Sequence, residues 1–199
     1  MKNNLCCTCT NETVYSFYSV SDDGRYITTD KAKEKLTYCP MDFASDIVVA
    51  YLNIGYFSSK SADTSDLVYD FISKYGMPDR KSKKLNIKDF SEDAEALYLH
   101  FAEIVAEEYP DKPEWILETD SMSGIITRNG NDIELSWQTP GLSNAIEIAY
   151  SLLLCSDTKQ LGVCKHCGAP FYAKNPKSEF CSPQCRNQYN VYKSRRKYK

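Results

Sequence analysis

The chain has 199 residues, 42% of them hydrophobic and 13% aromatic, which excludes a globally disordered protein and suits one domain, alone or with a small appendix. The net charge of −3 is unevenly spread. Residues 159–199 hold ten Lys or Arg and one acid, a net charge of +9, whereas residues 1–158 hold 14 Lys or Arg and 26 acids, a net charge of −12. We therefore expect an acidic body over 1–158 and a basic C-terminal segment over 159–199 with a different task.

Membrane and secreted classes are not favoured. No apolar run approaches the roughly 18–20 residues that cross a bilayer, and the first residues lack the apolar core of a signal peptide. The nine cysteines are an odd number, which argues against a disulfide framework and for metal binding with some free thiols. We expect a cytoplasmic protein without a membrane partner.

The first part of the chain predicts a hairpin and a buried element. Residues 14–20 and 25–28 have strand character and flank a turn at Asp22-Asp23-Gly24. The apolar run over 46–57 fits either a buried strand or a buried helix, and periodicity does not decide between them.

A C-x-x-C pair near the start, Cys6 and Cys9, raises the question of a second metal site. Such a site would need two further ligands, and Cys39 and His100 are the candidates. We expect free thiols instead. The sequence assigns no role to the cysteines at positions 6, 7, 9 and 39, and His100 is expected to be exposed or hydrogen-bonded.

Two amphipathic helices are predicted in the middle of the body. The first follows an N-cap region over Thr64-Ser65-Asp66 and ends at Gly76 before Pro78. The second begins at Ser91, has acids in its first turn and ends at Pro110. The charged stretch 79–88 between them is predicted to be a solvated loop.

The last part of the body predicts a hairpin and one more helix. Residues 124–137 alternate around a turn at Asn129-Gly130, with the side chains of positions 133, 135 and 137 facing the core. The following helix begins at Thr139-Pro140, or at Ser143 as a later cap. We expect Cys155 at its end to be a small apolar core residue.

Two cysteine pairs in the basic segment have the spacing of a metal site. Cys164 and Cys167 form a C-x-x-C followed by Gly168, and Cys181 and Cys185 form a C-x-x-x-C. Four thiolates suit tetrahedral Zn²⁺, one per chain, and leave no position for water, which predicts a structural metal. His166 is expected to face solvent and not to be a ligand.

The second pair coincides with a helix start. Ser182 is a good N-cap, Pro183 suits the first helical position, and Cys185 then lies in the first turn, where free N–H groups stabilise thiolates. A short hairpin is predicted after the first pair, with Phe171 and Tyr172 in a strand and a turn over 174–178. The arrangement predicts a treble-clef-like finger.

The helix beyond the cysteines contains no acid and is predicted to contact nucleic acid. Lys and Arg neutralise phosphates, amide side chains can read base edges, and tyrosines can stack on unpaired bases. The candidate contacts are Arg186, Asn187, Gln188, Asn190, Lys193, Arg195, Arg196 and Lys197. Two alternatives stay open: a solvated basic tail, and a tail that lies on the acidic body.

The segment over 181–188, which reads Cys-Ser-Pro-Gln-Cys-Arg-Asn-Gln, resembles the CGNR zinc finger. In that family a C-x-x-C and an aromatic hairpin precede C-S-x-x-C-G-N-R and a basic helix. Cys185 and Asn187 match the signature, whereas Arg186 replaces its glycine and Gln188 its arginine. Residues 51–53 and 66–76 are similar to the ABATE-type domain of the family. The resemblance implies a bacterial regulator with a ligand-sensing N-terminal domain and zinc at the four cysteines.

The sequence thus predicts an α+β fold, with a mixed helical and antiparallel-sheet body and a C-terminal zinc finger that ends in a basic helix. The function expected first is nucleic-acid binding, to duplex DNA with RNA as an alternative, in a transcriptional regulator. The second is a zinc-stabilised protein-interaction module. An enzyme is not expected, because no phosphate loop, nucleophile elbow or histidine pair occurs. The nucleic-acid sequence, any small-molecule ligand of the body and the oligomeric state are not determined.

Overall fold

The computed structural model describes residues 6–11, 18–29, 36–38, 44–78, 82–105, 123–129, 132–139, 141–155, 160–175 and 177–197. Within them the chain forms an α+β arrangement, as predicted. The helices are α1 (Ala44–Ser58), α2 (Ser65–Tyr75), α3 (Ile87–Val105), α4 (Leu142–Leu154) and α5 (Pro183–Lys197). The strands are β1 (Cys6–Asn11), β2 (Ser19–Val20), β3 (Tyr26–Thr28), β4 (Leu36–Tyr38), β5 (Lys84–Asn86), β6 (Ser123–Asn129), β7 (Asp132–Thr139), β8 (Leu161–Val163) and β9 (Pro170–Tyr172). None of these helices is both long and apolar enough to cross a membrane.

The apolar run over 46–57 is helical and lies within α1, the helix at the centre of the body. Helices α2, α3 and α4 all pack on it, and strand β9 contacts it from the C-terminal segment. Because partners surround α1, its sequence lacks the one-sided stripe of a surface helix. At 15 residues it is also longer than the usual strand. Fully buried side chains on it include Ile47, Val48, Leu52 and Ile54.

The two middle helices differ in how well their starts were predicted. Helix α2 follows Thr64 and ends before Gly76, whose φ of 92° suits glycine, as predicted. Helix α3 begins at Ile87 and not at Ser91. Asn86 accepts a hydrogen bond from the N–H of Lys88 at 3.0 Å, so an asparagine before the first turn marks the start. Ser91 lies inside the helix and donates to the carbonyl of Ile87 at 2.8 Å.

The charged stretch before α3 is not a loop throughout. Residues 84–86 form β5, which pairs antiparallel with β3 and places Leu85 opposite Ile27. The ammonium of Lys84 lies 3.6 Å from the ring centroid of Tyr26. The prediction of a solvated loop is wrong for residues 84–86, because they pair with β3 as a strand. A charged residue is compatible with such a half-exposed strand, since its cation can cover an aromatic ring. Residues 79–81 and Pro110 lie outside the described residues.

Hairpin predictions in the body are confirmed where the structure describes them. Val20 pairs with Ile27 across β2 and β3, and Gly24 in the turn has φ of 70°. Strands β6 and β7 pair antiparallel with Asn129 opposite Asp132. Residues 14–17, the turn at 130–131 and the facing of side chains 133, 135 and 137 lie outside the described residues.

The largest sheet adds one parallel pair to the predicted antiparallel pairing. Its order is β4-β1-β7-β6, and β1 runs parallel to β7, with Cys9 opposite Thr139. Parallel neighbours require a long connection, and a pairing between such distant segments leaves no local trace in the sequence.

Helix α4 starts at neither predicted cap. Thr139 is the last residue of β7, Gly141 is the N-cap in an extended conformation, and Leu142 is the first helical residue. Strand pairing of Thr139 therefore prevailed over its capping preference. Cys155 follows the helix and is exposed, so the prediction of a core cysteine is wrong.

Candidate metal centre

The ligand atoms of Cys164, Cys167, Cys181 and Cys185 all lie within 4.8 Å of one another. The sulfur of Cys181 is 3.7 Å from that of Cys167 and 3.4 Å from that of Cys185. Tetrahedral thiolates about 2.3 Å from one metal ion would be about 3.8 Å apart, whereas a disulfide needs about 2.05 Å. The four predicted ligands are therefore brought together in a geometry that can hold a metal ion.

The first cysteine pair lies in the turn of a hairpin. Strands β8 and β9 flank it, and the N–H of Cys164 donates to the carbonyl of Ala169 at 3.0 Å. The N–H of Gly168 returns to the carbonyl of Cys164 at 2.9 Å, with φ of 79° at the glycine. The predicted hairpin was placed too late in the chain, because the partner of residues 171–172 precedes the cysteines. The turn over 174–178 leads to helix α5 and not to a strand.

The second pair lies at the start of α5, as predicted. The side-chain oxygen of Ser182 accepts a hydrogen bond from the N–H of Cys185 at 3.2 Å. The helix begins at Pro183, so two ligands flank its cap. The free N–H groups and the positive end of the helix dipole stabilise thiolates at this position.

The two halves of the finger also meet through residues that sequence reasoning did not select. The N–H of Lys165 donates to the carbonyl of Glu179 at 2.9 Å, and the two side chains form an ion pair. Apolar support is small: Phe171 and Ala173 are buried beside the thiols, with Phe180 packed against them. So small a core supplies little apolar stabilisation of its own.

Acid–base properties differ among the thiols of Cys164, Cys167 and Cys181. Burial raises the pKa of Cys164, but hydrogen bonds from the backbone N–H groups of Cys167, Cys181 and His166 outweigh it and bring the pKa down to about 6. Burial and the neighbouring sulfurs raise the pKa of Cys181, and burial raises that of Cys167. Of these three thiols, Cys164 is the one whose surroundings favour the thiolate. A bound cation stabilises the thiolate form of every ligand and displaces the remaining protons.

Helix α1 holds the first pair from the body side, through two residues that the sequence analysis missed. The hydroxyl of Tyr56 donates to the carbonyl of Cys167 at 2.5 Å, and the side-chain amide of Asn53 donates to the carbonyl of Pro170 at 3.2 Å. A Cβ at Gly168 would lie 3.3 Å from the Tyr56 hydroxyl oxygen. The signal was a pair of polar side chains in an otherwise apolar run.

His166 is not part of the cysteine cluster, as predicted, but it does not simply face solvent. It is half-buried, and its Nε2 lies 2.8 Å from the side-chain oxygen of Gln188. Its ring is nearly parallel to that of Tyr192, with 5.8 Å between centroids. The turn that holds the first cysteine pair and helix α5 therefore contact each other.

The predicted nucleic-acid contacts lie together on α5. All are exposed where their side chains are described, namely Arg186, Asn187, Gln188, Asn190, Lys193, Arg195 and Arg196, and Lys197 ends the helix. Within the described ranges, none of the cations at 186, 193, 195 and 196 forms an ion pair with an acid.

His100, a candidate ligand for a second metal site, makes a hydrogen bond in the core of the body. His100 is buried, and its Nδ1 lies 2.8 Å from the hydroxyl oxygen of Tyr150. It is thus a hydrogen-bonded core residue, one of the two states expected for it. The side chains of Cys6, Cys7, Cys9 and Cys39 lie outside the described residues.

Comparison of the chain with protein-family models, curated proteins and solved structures finds no match. The resemblance to the CGNR finger therefore rests on the sequence alone.

Proposed function

We propose that the four cysteines hold one structural Zn²⁺ and that the finger, of treble-clef type, presents helix α5 to nucleic acid. In this proposal the protein is a transcriptional regulator whose first target is duplex DNA, with RNA as the alternative. The observation that carries it is the exposed, acid-free helix whose described cations have no acidic partner in the described part of the chain.

Zinc is favoured by the chemistry of the donor set. Four thiolates are soft ligands that select zinc or an iron–sulfur centre over magnesium or calcium. With every coordination position filled by cysteine, the ion has no place for water or substrate, so we assign it no reaction. Metal analysis of the purified protein should find about one zinc per chain. Sulfide and iron in place of zinc would contradict this part of the proposal.

The surface along the first half of α5 suits a polyanion. A cavity of about 870 Å³ lies between the helix and residues 171–183, and Arg186, Asn187 and Asn190 line it from the helix. Lys174 and Lys177 line it from the opposite side. Cations placed around amide side chains combine phosphate contacts with groups that can read base edges.

The test is fluorescence anisotropy with a labelled duplex of about 20 base pairs at about 0.05 and 0.2 M salt. Binding should weaken steeply at the higher salt, because each neutralised phosphate releases counterions. The triple variant Arg195→Ala, Arg196→Ala, Lys197→Ala should bind at least about tenfold more weakly and with a shallower salt dependence.

The matched control makes the same charge change on the body. The variant Lys74→Ala, Lys83→Ala, Lys88→Ala removes three exposed lysines and should bind the duplex within about twofold of the unmodified protein. Equal losses of duplex affinity in the two triple variants would show that net charge, and not the position of the cations on α5, causes the effect. Unchanged binding after the substitutions in α5 would overturn the proposal.

A protein-interaction module is the second candidate, and one observation favours it. The side chains of Val191 and Tyr192 are 48% and 55% exposed on α5, and exposed apolar side chains are common at protein interfaces. This function predicts a partner that binds the finger, with no salt-dependent binding of nucleic acid.

Among the described residues, one cavity of the body is a candidate place for the small-molecule ligand that the family resemblance implies. A cavity of about 470 Å³ lies between α1 and α2 and is lined by apolar residues such as Val49 and Phe71, with Lys74 and Asp46 at hand. Its volume falls in the usual range of ligand pockets. Tyr172 of the finger also lines it, so a ligand there would touch both parts of the chain.

A further inference from the structure

A second groove, on another part of α5, contains aromatic rings as well as cations. Its volume is about 530 Å³, and it is lined by Lys165, His166, Tyr189, Tyr192, Lys193 and Arg196. We call it the aromatic groove. The first two residues come from the turn that carries the metal ligands, and the other four from the helix, so the finger must be folded for the groove to exist.

The rings of the groove are held in place by their neighbours. His166 is fixed by Gln188, and its ring lies within 15° of the plane of Tyr192. Tyr189 packs on Phe180, with 5.2 Å between ring centroids. Tyr192 is 55% exposed, which is a large aromatic surface to leave in water. Rings that are pre-positioned and exposed offer a stacking platform without the entropic cost of ordering them on binding.

The cations of the groove are available to a ligand. Lys193 and Arg196 are exposed and form no ion pair within the described ranges. On a helix, positions 192, 193 and 196 are close neighbours, with about 5–6 Å between Cβ atoms three or four apart. Lys165 is already paired with Glu179. Two unpaired positive charges therefore stand beside one exposed ring.

We propose that the aromatic groove binds single-stranded nucleic acid, with one unpaired base stacked on Tyr192 and the adjoining phosphates on Lys193 and Arg196. This inference rests on the proposed function and names the form of nucleic acid that this side of α5 takes. A duplex cannot use the ring in this way, because its bases are stacked on one another and show only their edges. An acidic peptide is the other occupant that such a groove can accept, and the experiment separates the two.

The experiment varies both the bases of the DNA strand and the aromatic ring of Tyr192. The full-length zinc-loaded protein is titrated against two labelled DNA strands of about 12 nucleotides, one of thymidines and one in which the central residues are abasic. The two strands carry the same phosphates, so a difference in affinity reports the bases. The unmodified protein should bind the thymidine strand about tenfold more tightly than the abasic strand.

Variants then assign that difference to Tyr192. Tyr192→Ala should lose about tenfold on the thymidine strand and nothing on the abasic strand, whereas Tyr192→Phe should keep the full difference. Val191→Ala is the matched control, since Val191 is similarly exposed on the same helix and does not line the groove. Zinc content and circular dichroism check that each variant is folded.

The outcomes separate this inference from the proposed function. Equal binding of the two strands by the unmodified protein, or equal binding of the thymidine strand by Tyr192→Ala, overturns the inference. Binding to duplex but not to either strand overturns it and leaves the proposed function standing. If the protein binds no nucleic acid, both the inference and the proposed function are contradicted. A Tyr192-dependent affinity for a polyglutamate peptide without strand binding assigns the groove to a protein partner and overturns the inference.

Discussion

Tyr56 makes one of the two side-chain hydrogen bonds that connect α1 of the body to the hairpin with the first cysteine pair. Its hydroxyl donates to the carbonyl of Cys167, and its ring makes edge contacts with Phe57 and Tyr98 on the body side. The position of the first ligand pair is therefore set partly by a residue more than a hundred positions earlier in the chain.

Tyr56→Phe removes the hydroxyl and keeps the ring. We expect a loss of about 1 kcal/mol in the free energy of unfolding, because the carbonyl of Cys167 loses its partner in a partly buried place. Urea unfolding of the zinc-loaded protein measures it as a lower midpoint at unchanged slope. Tyr172→Phe is the control: that hydroxyl donates to Gln160 at an exposed position, so the loss should be smaller. Equal losses would contradict a specific role of Tyr56.

The thiols determine how the metal centre responds to acid. The pKa of Cys164 is about 6 among the sulfurs alone, and a cation lowers the pKa of each ligand further. Below the pKa of each free thiol a proton competes with the ion, and because the pKa values of Cys167 and Cys181 are raised, binding weakens progressively as the pH falls. A chromogenic chelator should report full occupancy at about pH 7.5 and progressive release below about pH 6. Retention of the ion at about pH 3 would contradict thiolate ligation.

At the scale of elements, α1 and α3 cross at one glycine. A Cβ at Gly55 would lie 2.1 Å from the carbonyl oxygen of Ala94 and 2.8 Å from the Cβ of Tyr98. No side chain fits there without moving a helix. The absence of a side chain at this one position therefore sets the distance between the two helices.

Gly55→Ala should destabilise the body by about 2–3 kcal/mol, since an inserted methyl group meets backbone atoms that cannot turn aside. Gly162→Ala is the matched control, because the nearest atom to its Cβ would be 3.7 Å away, an ordinary contact distance. It should change stability by less than about 0.5 kcal/mol. Denaturant unfolding of both variants measures these changes in stability. Similar losses of stability in the two variants would show that the helices can separate freely.

The elements also show which features could be predicted. Ser182 acts on an N–H three residues away, and Gly76 ends α2 within its own turn, so both were readable from neighbouring residues. The start of α4 depended on strand pairing between Thr139 and Cys9, which no local pattern contains. For the same reason Tyr56 and Asn53 escaped prediction, whereas the closely spaced cysteines did not. Contacts set by distant segments are the part that sequence patterns leave out.

At the scale of the whole molecule, two apolar clusters of very different size support the chain. The body core includes residues from α1 to α4 and extends to Leu161, whereas the second cluster among the described residues consists of Cys164, Phe171 and Ala173, with Phe180 and Cys185 packed against it. Removal of the ion by a chelator should therefore unfold α5 and leave the body folded.

Circular dichroism can test this directly. The chelator should lower the helical signal by about a fifth, the share of α5 among the described helices. The cooperative thermal transition of the body should persist, and added zinc should restore the lost signal. Complete unfolding on chelation would show that the body cannot stand without the finger, and an unchanged signal that the metal does not order α5.

The parallel pairing of β1 with β7 has a consequence for biosynthesis. Cys9 pairs with Thr139, so β1 cannot take its place beside β7 until about 130 further residues have been translated. At about 5–20 residues per second this delay is roughly 10 s. During that time the edge that β1 will offer to β7 has no partner from its own chain, and a strand edge of this kind attracts other strands. Newly made chains are therefore most exposed to misassembly before residue 139 leaves the ribosome.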